Sequence, residues 1–190
     1  MKNIGAILAC FLILAMTFPS PVMAIQEVSM NNKKAVMIIA PSNFRDEELF
    51  QTKEVLEHAG VSVTVASTQT DECTGMLGES ITPDITFSEI TIAEYDAVIF
   101  VGGSGATCYI MNKAAHQLCR DTITANKILA AICIAPAILA QAGVLEGKKA
   151  TVWEGEKQTL TEHNAQYTSQ AVARDGNIIT ANGPHSATTF

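Results

Sequence analysis

Apolar residues fall along this chain in short unbroken runs separated by longer stretches of helical spacing. Ala35-Val36-Met37-Ile38-Ile39-Ala40 is continuous and ends at Pro41, which predicts a strand buried on both faces, as in a parallel sheet. After the polar turn Ser42-Asn43, the segment Arg45 to Ala59 places Leu49, Phe50, Val55, Leu56 and Ala59 near helical spacing and stops at Gly60. Val61 to Ala66 alternates and is rich in β-branched residues, a second strand. Between Thr70 and Ile90, Gly75, Gly78 and Pro83 interrupt short apolar pieces, which suits a hairpin or irregular excursion.

The alternation then resumes. Ala97 to Val101 reads as a strand running into Gly102-Gly103-Ser104-Gly105, Asn112 to Ala125 as an amphipathic helix, and Ile128 to Ile132 as a strand. Ala135 to Ala142 is a helix ended by Gly143, Ala150-Thr151-Val152 and Asn177 to Thr180 are further strands, and a short helix lies around Leu160 to His163. Strands alternating with helices across short loops specify a flavodoxin-like, doubly wound α/β fold: a mostly parallel sheet with helices on both faces.

Composition narrows this to one domain, since 190 residues that are 48% hydrophobic bury one sizeable core. A net charge of −7 with no Lys/Arg cluster argues against nucleic acid as a partner and leaves a small molecule, an oxidant or another protein chain. The first residues stand apart. Met1-Lys2-Asn3, the apolar run Ile4 to Phe18 and the small or permissive residues Val22 and Ala24 match a signal peptide over residues 1–24, cleaved after Ala24. That predicts a periplasmic or secreted protein with a flexible mature N-terminus over 25–32, a domain over 33–190, and no membrane association after cleavage. An uncleaved anchor is disfavoured because the run is shorter than the roughly 20 residues that span a bilayer, and lipidation at Cys10 would leave little apolar sequence ahead of the modified residue. The mature chain keeps Cys73, Cys108, Cys119 and Cys133. Cys108 and Cys119, if on one helix, would lie about 16 Å apart, beyond disulfide reach. Mostly free thiols are expected, with Cys73 undecided. Neither C-x-x-C nor H-E-x-x-H occurs, so neither a metal nor another cofactor is expected.

In a doubly wound sheet, ligands bind outside the carboxyl ends of the strands. Of the loops there, the one at Cys133 is the most informative, because the cysteine ends a strand and immediately precedes a helix, the position of a nucleophile in an elbow turn. A helix N-terminus favours thiolate, which predicts that Cys133 is the most acidic of the mature thiols. The competing reading from spacing alone is a buried, inert cysteine.

Several segments carry a resemblance. Ala131-Ile132-Cys133-Ile134-Ala135-Pro136 with the following Ala142-Gly143-Val144-Leu145-Glu146-Gly147, Phe44-Arg45-Asp46-Glu47-Glu48-Leu49, Val101-Gly102-Gly103-Ser104-Gly105 and Asp175-Gly176-Asn177-Ile178-Ile179-Thr180 together closely resemble the ThiJ/PfpI superfamily, also called the DJ-one/PfpI family, of class I glutamine amidotransferase-like fold. The resemblance implies Cys133 as the reactive residue and Glu48 as the carboxylate beside it, a protonated Glu48 being able to donate to a thiolate. It implies a pocket in which backbone N–H groups of Gly103 and Ser104 face the sulfur or an oxyanion, with Ile134 beside them, and it suggests a homodimer. Asp46 and Glu47 read as a solvated, dipole-favourable first turn. Two departures qualify the match. The residue after the elbow cysteine is commonly His in protease-like and glyoxalase-like branches and is Ile134 here, so a Cys-His peptidase is unsupported. Family members usually continue into a final helix beyond the Gly183-Pro184 loop, whereas this sequence stops at Phe190, which is expected to reflect either truncation or a missing element.

His58 and His116 read as surface or packing residues and His163 has no placement, whereas His185, after a strand, and Trp153 are candidate pocket walls. Three functions are therefore carried forward: a redox-active or redox-sensing thiol; a glyoxalase- or deglycase-type enzyme on small carbonyl compounds; and a non-enzymatic, chaperone-like or binding dimer whose cysteine is incidental.

Overall fold

A computed structural model describes residues 32–190. The signal segment expected over 1–24, and the residues from there to 31, lie outside the described residues. The elements are β1 Lys34–Ile38, β2 Ser42–Phe44, α1 Asp46–His58, β3 Ser62–Ser67, β4 Cys73–Gly75, β5 Ser80–Ile81, β6 Ile85–Thr86, β7 Ala97–Phe100, α2 Thr107–Ile110, α3 Lys113–Thr124, β8 Ile128–Ile132, α4 Pro136–Gln141, β9 Lys149–Ala150, α5 Lys157–Glu162, β10 Gln166–Tyr167, β11 Val172–Asp175 and β12 Ile178–Ala181.

Seven strands form the central sheet in the order β11-β12-β8-β7-β1-β3-β6, and every pairing is parallel except the edge pair β11-β12. The unbroken apolar run of β1 is explained by its two faces. Val36 and Ile38 pack into one core with α3 and α4 residues such as Leu118 and Ile138, while Ala35, Met37 and Ile39 pack into the other with Leu49 of α1. Helices therefore cover both faces, and the carboxyl ends of β1, β7 and β8 converge on one rim, where their loops meet.

Two differences from the sequence reading have physical reasons, and one expectation is met in a definite form. The expected strand at Ala150 to Val152 is not in the central sheet: β9 pairs only with β10, and the Thr151 N–H is spent on the Thr180 hydroxyl at 2.9 Å instead of a ladder. The antiparallel edge strand β11 has a short mixed pattern that gives little periodic signal, and it is brought onto β12 by the turn Gly176-Asn177, with Gly176 at φ 61°. The expected excursion at 70–90 contains a genuine hairpin, β4-β5, and β2 joins it in parallel to make a small three-stranded sheet.

Asp46 explains why that hairpin is ordered. Its carboxylate is buried and accepts from the N–H groups of Leu77 (2.8 Å) and Glu79 (3.0 Å), and a side chain at Gly75 would overlap it. The expectation of a solvated Asp46 and Glu47 is thus corrected: Asp46 ties the hairpin to α1, and Glu47 is taken up by Arg45 in a two-bonded pair at 2.7 and 2.9 Å. All four described cysteines are free, and Cys73 is buried with its thiol toward the Asp71 carbonyl at 3.5 Å. No helix among the described residues is long and apolar enough to cross a membrane.

Candidate active site

Among the described residues, two largely apolar hollows are of similar size. One, of about 490 Å³, lies against the sheet face beside α1 and is lined by Ala35, Ile99, Ala130, Ile179 and Phe190, with no cysteine or histidine. The other, of about 520 Å³, opens at the carboxyl ends of the strands and is lined by Cys133, Ile134, Gly103, Arg45, Met76 and Trp153, among others. Chemistry selects the second.

Cys133 sits there at φ 63°, a left-handed conformation that a side chain adopts only when its surroundings enforce it. They do so from both sides. The Cys133 N–H donates to the Ala181 carbonyl of β12 at 2.9 Å, and its carbonyl accepts from Trp153 N–H at 2.8 Å. The elbow is a locked bridge between β12 and the segment after β9, and it turns the sulfur into the cleft.

Glu48 arrives from the first turn of α1 and is fully buried. Its Oε2 accepts from Gly102 N–H at 3.0 Å, while the Gly102 carbonyl accepts from Arg45 N–H at 3.1 Å, so the start of α1 is tied to the end of β7 on both sides of one glycine. Only glycine fits: a Cβ at 102 would stand 2.6 Å from the Cys133 Cβ and 2.6 Å from Glu48 Oε2. The second oxygen, Oε1, is buried without a nitrogen or oxygen donor, and the hydrogen-bonding neighbour left to the carboxyl is the Cys133 thiol.

Burial pushes the Glu48 carboxyl up to about 7, against the pull of its hydrogen bonds with Cys133 and Gly102. Burial, and then the negative charge of Glu48, push the Cys133 thiol up to about 12, opposed by the Gly103 and Ile134 N–H groups directed at the sulfur. The simple expectation of an acidic thiol is corrected. The helix behind it, α4, is only six residues long and begins with Pro136, which has no N–H to offer, so the dipole contribution is small beside desolvation. The two groups act as a pair: one proton leaves near neutrality, and the second is held into the strongly basic range.

Of the expected wall residues, Gly103 and Ile134 line the cleft and aim their N–H groups at the sulfur. Ser104 also lines it, but its N–H goes to the Met76 sulfur at 3.5 Å. Trp153 forms part of the wall and is half exposed. His185 is exposed and is not among the lining residues, where its neighbour Pro184 stands instead. Arg45, Met76, Thr107 and Glu156 are wall residues the sequence reading did not single out. Arg45 adjoins the acidic run and could have been suspected; Met76 reaches the cleft only because Asp46 folds the hairpin over, which no local pattern reveals. Among the described residues, no group of three or more His, Cys, Asp or Glu is placed to hold a metal ion.

With this geometry in hand, comparison with known proteins is decisive about ancestry. The sequence profile of the DJ-1/PfpI family matches residues 33–190. The chain belongs to the DJ-1/PfpI family. Among its relatives, the uncharacterized protein MJ0967 of Methanocaldococcus jannaschii is 42% identical over 165 residues, covering 85% of this chain and 80% of the relative. A protein named deglycase PfpI, from Pyrococcus furiosus, is 31% identical over 149 residues, 78% of this chain and 90% of that one. The crystal structure of a ThiJ/PfpI domain protein from Brachyspira murdochii superposes with a TM-score of 0.82 at 34% identity, over 84% of this chain and 92% of the other. The flavodoxin-like parallel sheet is thus the DJ-1/PfpI fold.

Proposed function

We propose that this DJ-1/PfpI protein acts on small carbonyl compounds in glyoxalase- or deglycase-type chemistry, with Cys133 as nucleophile and Glu48 as proton shuttle. The observation that carries the reading is a fully buried carboxyl, raised to about 7 and hydrogen-bonded to the elbow thiol, beside an open cleft that the thiol lines. A carboxyl with that affinity for a proton both gives and takes one at neutral pH. The relatives named as deglycases support the same direction.

For a 2-oxoaldehyde, the Glu48 carboxylate takes the Cys133 thiol proton as the sulfur adds to the aldehyde carbon, a C–S bond forms, and the carbonyl oxygen takes that proton from Glu48. The Glu48 carboxylate then removes the hydrogen on that carbon as a proton and returns it to the neighbouring carbon, while the hydroxyl proton on the first carbon's oxygen passes to the ketone oxygen. The first carbon is oxidised to a thioester as the ketone beside it is reduced, so no outside oxidant enters. Water cleaves the C–S bond, releasing a 2-hydroxy acid and the thiol. The N–H groups of Gly103 and Ile134 would favour the sulfur anion. Those donors would equally suit a sulfenate oxygen, which keeps reversible oxidation of Cys133 by peroxide as the second reading.

Consumption of methylglyoxal by purified protein tests the proposal. Cys133→Ala is expected to lower the rate at least about a hundredfold and Glu48→Gln comparably; retention of the rate in Cys133→Ala would contradict it. The export and homodimer expected from the sequence belong to the same proposal, and an intact mass beginning at Ile25 in exported material would support the first.

A further inference from the structure

We propose that Trp153 and Met76 form an apolar subsite beside Cys133, which directs the cleft toward uncharged carbonyl compounds bearing an aromatic or bulky apolar substituent. The inference rests on the carbonyl reading above and specifies its substrate class. Among the described residues, exposed large apolar side chains are few, and two of them, Trp153 at 50% and Met76 at 44%, line the cleft that holds the reactive sulfur. Such exposure costs free energy unless something covers it in use.

Both side chains are held in place from behind. The six-membered ring of the indole lies beside Gly155, where any side chain would overlap it, so that side of the ring is backed by protein. The Trp153 backbone is tied to the elbow itself through its N–H to the Cys133 carbonyl at 2.8 Å. The Met76 sulfur accepts from Ser104 N–H at 3.5 Å, and its hairpin is anchored by Asp46. A thioether and an indole on the walls of one pocket are adaptable partners for a ring or a branched alkyl group.

Charge points the same way. The cleft's cation, Arg45, is already engaged in both directions by Glu47, and its acid, Glu156, accepts from the Thr159 hydroxyl at 2.7 Å. Each is partly committed within the protein, which weakens the reward for a charged group on the substrate. Polar recognition then centres on the reacting carbonyl, and discrimination comes from apolar contact.

The test compares kcat/KM for phenylglyoxal and methylglyoxal, and separately titrates the fluorescence of Trp153, the chain's single tryptophan, in Cys133→Ala protein with benzyl alcohol and with benzoate. Phenylglyoxal is expected to be favoured about tenfold in the unsubstituted protein, and that ratio to collapse toward unity in Trp153→Ala and in Met76→Ala. Because both side chains are exposed, the variants should fold, which circular dichroism checks. Benzyl alcohol should perturb the emission and benzoate should not. Turnover of both aldehydes without preference would overturn the subsite while leaving the carbonyl reading intact. Turnover of neither, with benzyl alcohol still bound at Trp153, would overturn the carbonyl reading and keep the subsite. Absence of any response to benzyl alcohol, or tighter binding of benzoate, would overturn the subsite as stated.

Discussion

At the scale of single residues, the site is a contest between desolvation and hydrogen bonding, and Glu48 records the outcome. Its carboxyl rises from the ordinary 4.5 to about 7, so between those values the folded protein holds a proton that the unfolded chain has already lost. Stability therefore falls as pH rises through that window, and the penalty is complete above it. Glu48→Gln removes the penalty and keeps an acceptor for Gly102 N–H. It is expected to raise stability by up to roughly 3 kcal/mol at about pH 8, with no gain below the ordinary carboxyl range, as thermal melts at two pH values would show. Activity should be lost over the same pH range where stability is gained, the usual trade at a site that keeps a buried charge. Gly102→Ala works in the opposite sense: with a Cβ 2.6 Å from both Cys133 Cβ and Glu48 Oε2, it should cost about 1–3 kcal/mol and abolish activity, measured by denaturant titration and turnover. Cys133 and Glu48 were readable in the sequence because an elbow cysteine and an acidic first turn stand in recognisable segments. The behaviour of the thiol was not, since sequence shows the helix that follows Cys133 but not how little water reaches the sulfur, nor that Glu48's charge points at it.

Among the elements, the β4-β5 hairpin carries Met76 into the cleft wall, and its glycines and proline pointed to a hairpin without revealing where it would fold. Its strands are two or three residues long, and what fixes them is a distant carboxylate, Asp46, accepting two backbone N–H groups. Asp46→Ala removes the acceptor from both donors, which lie on an exposed hairpin, at an expected cost of about 1 kcal/mol in local stability. The local effect is distinctive: limited proteolysis should begin at 76–79, and KM for a carbonyl substrate should rise more than kcat falls, because Met76 leaves the wall while Cys133 and Glu48 stay in place. Cleavage elsewhere, or a loss confined to kcat, would contradict this account. The long elements were legible for the converse reason. Strands β1, β7 and β8 and helices α1 and α3 carry their own burial pattern over four or more residues, whereas β9, β10 and β11 are held by pairing and by Thr180 and have no pattern of their own.

For the whole molecule, the doubly wound sheet brings three strand ends, one helix start and one hairpin to a single rim, and no histidine is among the residues lining the cleft there. Peptide hydrolysis by a Cys-His pair is accordingly not expected: purified protein should leave casein intact, and proteolysis that disappears in Cys133→Ala would refute this. The parallel sheet followed from the apolar runs, while the convergence of Arg45, Met76, Glu156 and Trp153 on one cleft is a property of the assembled chain. The central claim is that Cys133 and Glu48 share one proton and titrate together. It is tested most directly by the rate at which iodoacetamide labels Cys133 as a function of pH, read by peptide mass spectrometry in the unsubstituted protein and in Glu48→Gln. The account predicts a step in the labelling rate near pH 7, where the pair gives up its first proton, and its absence in Glu48→Gln; a single rise around the ordinary thiol value of 9.0, the same in both proteins, would contradict it.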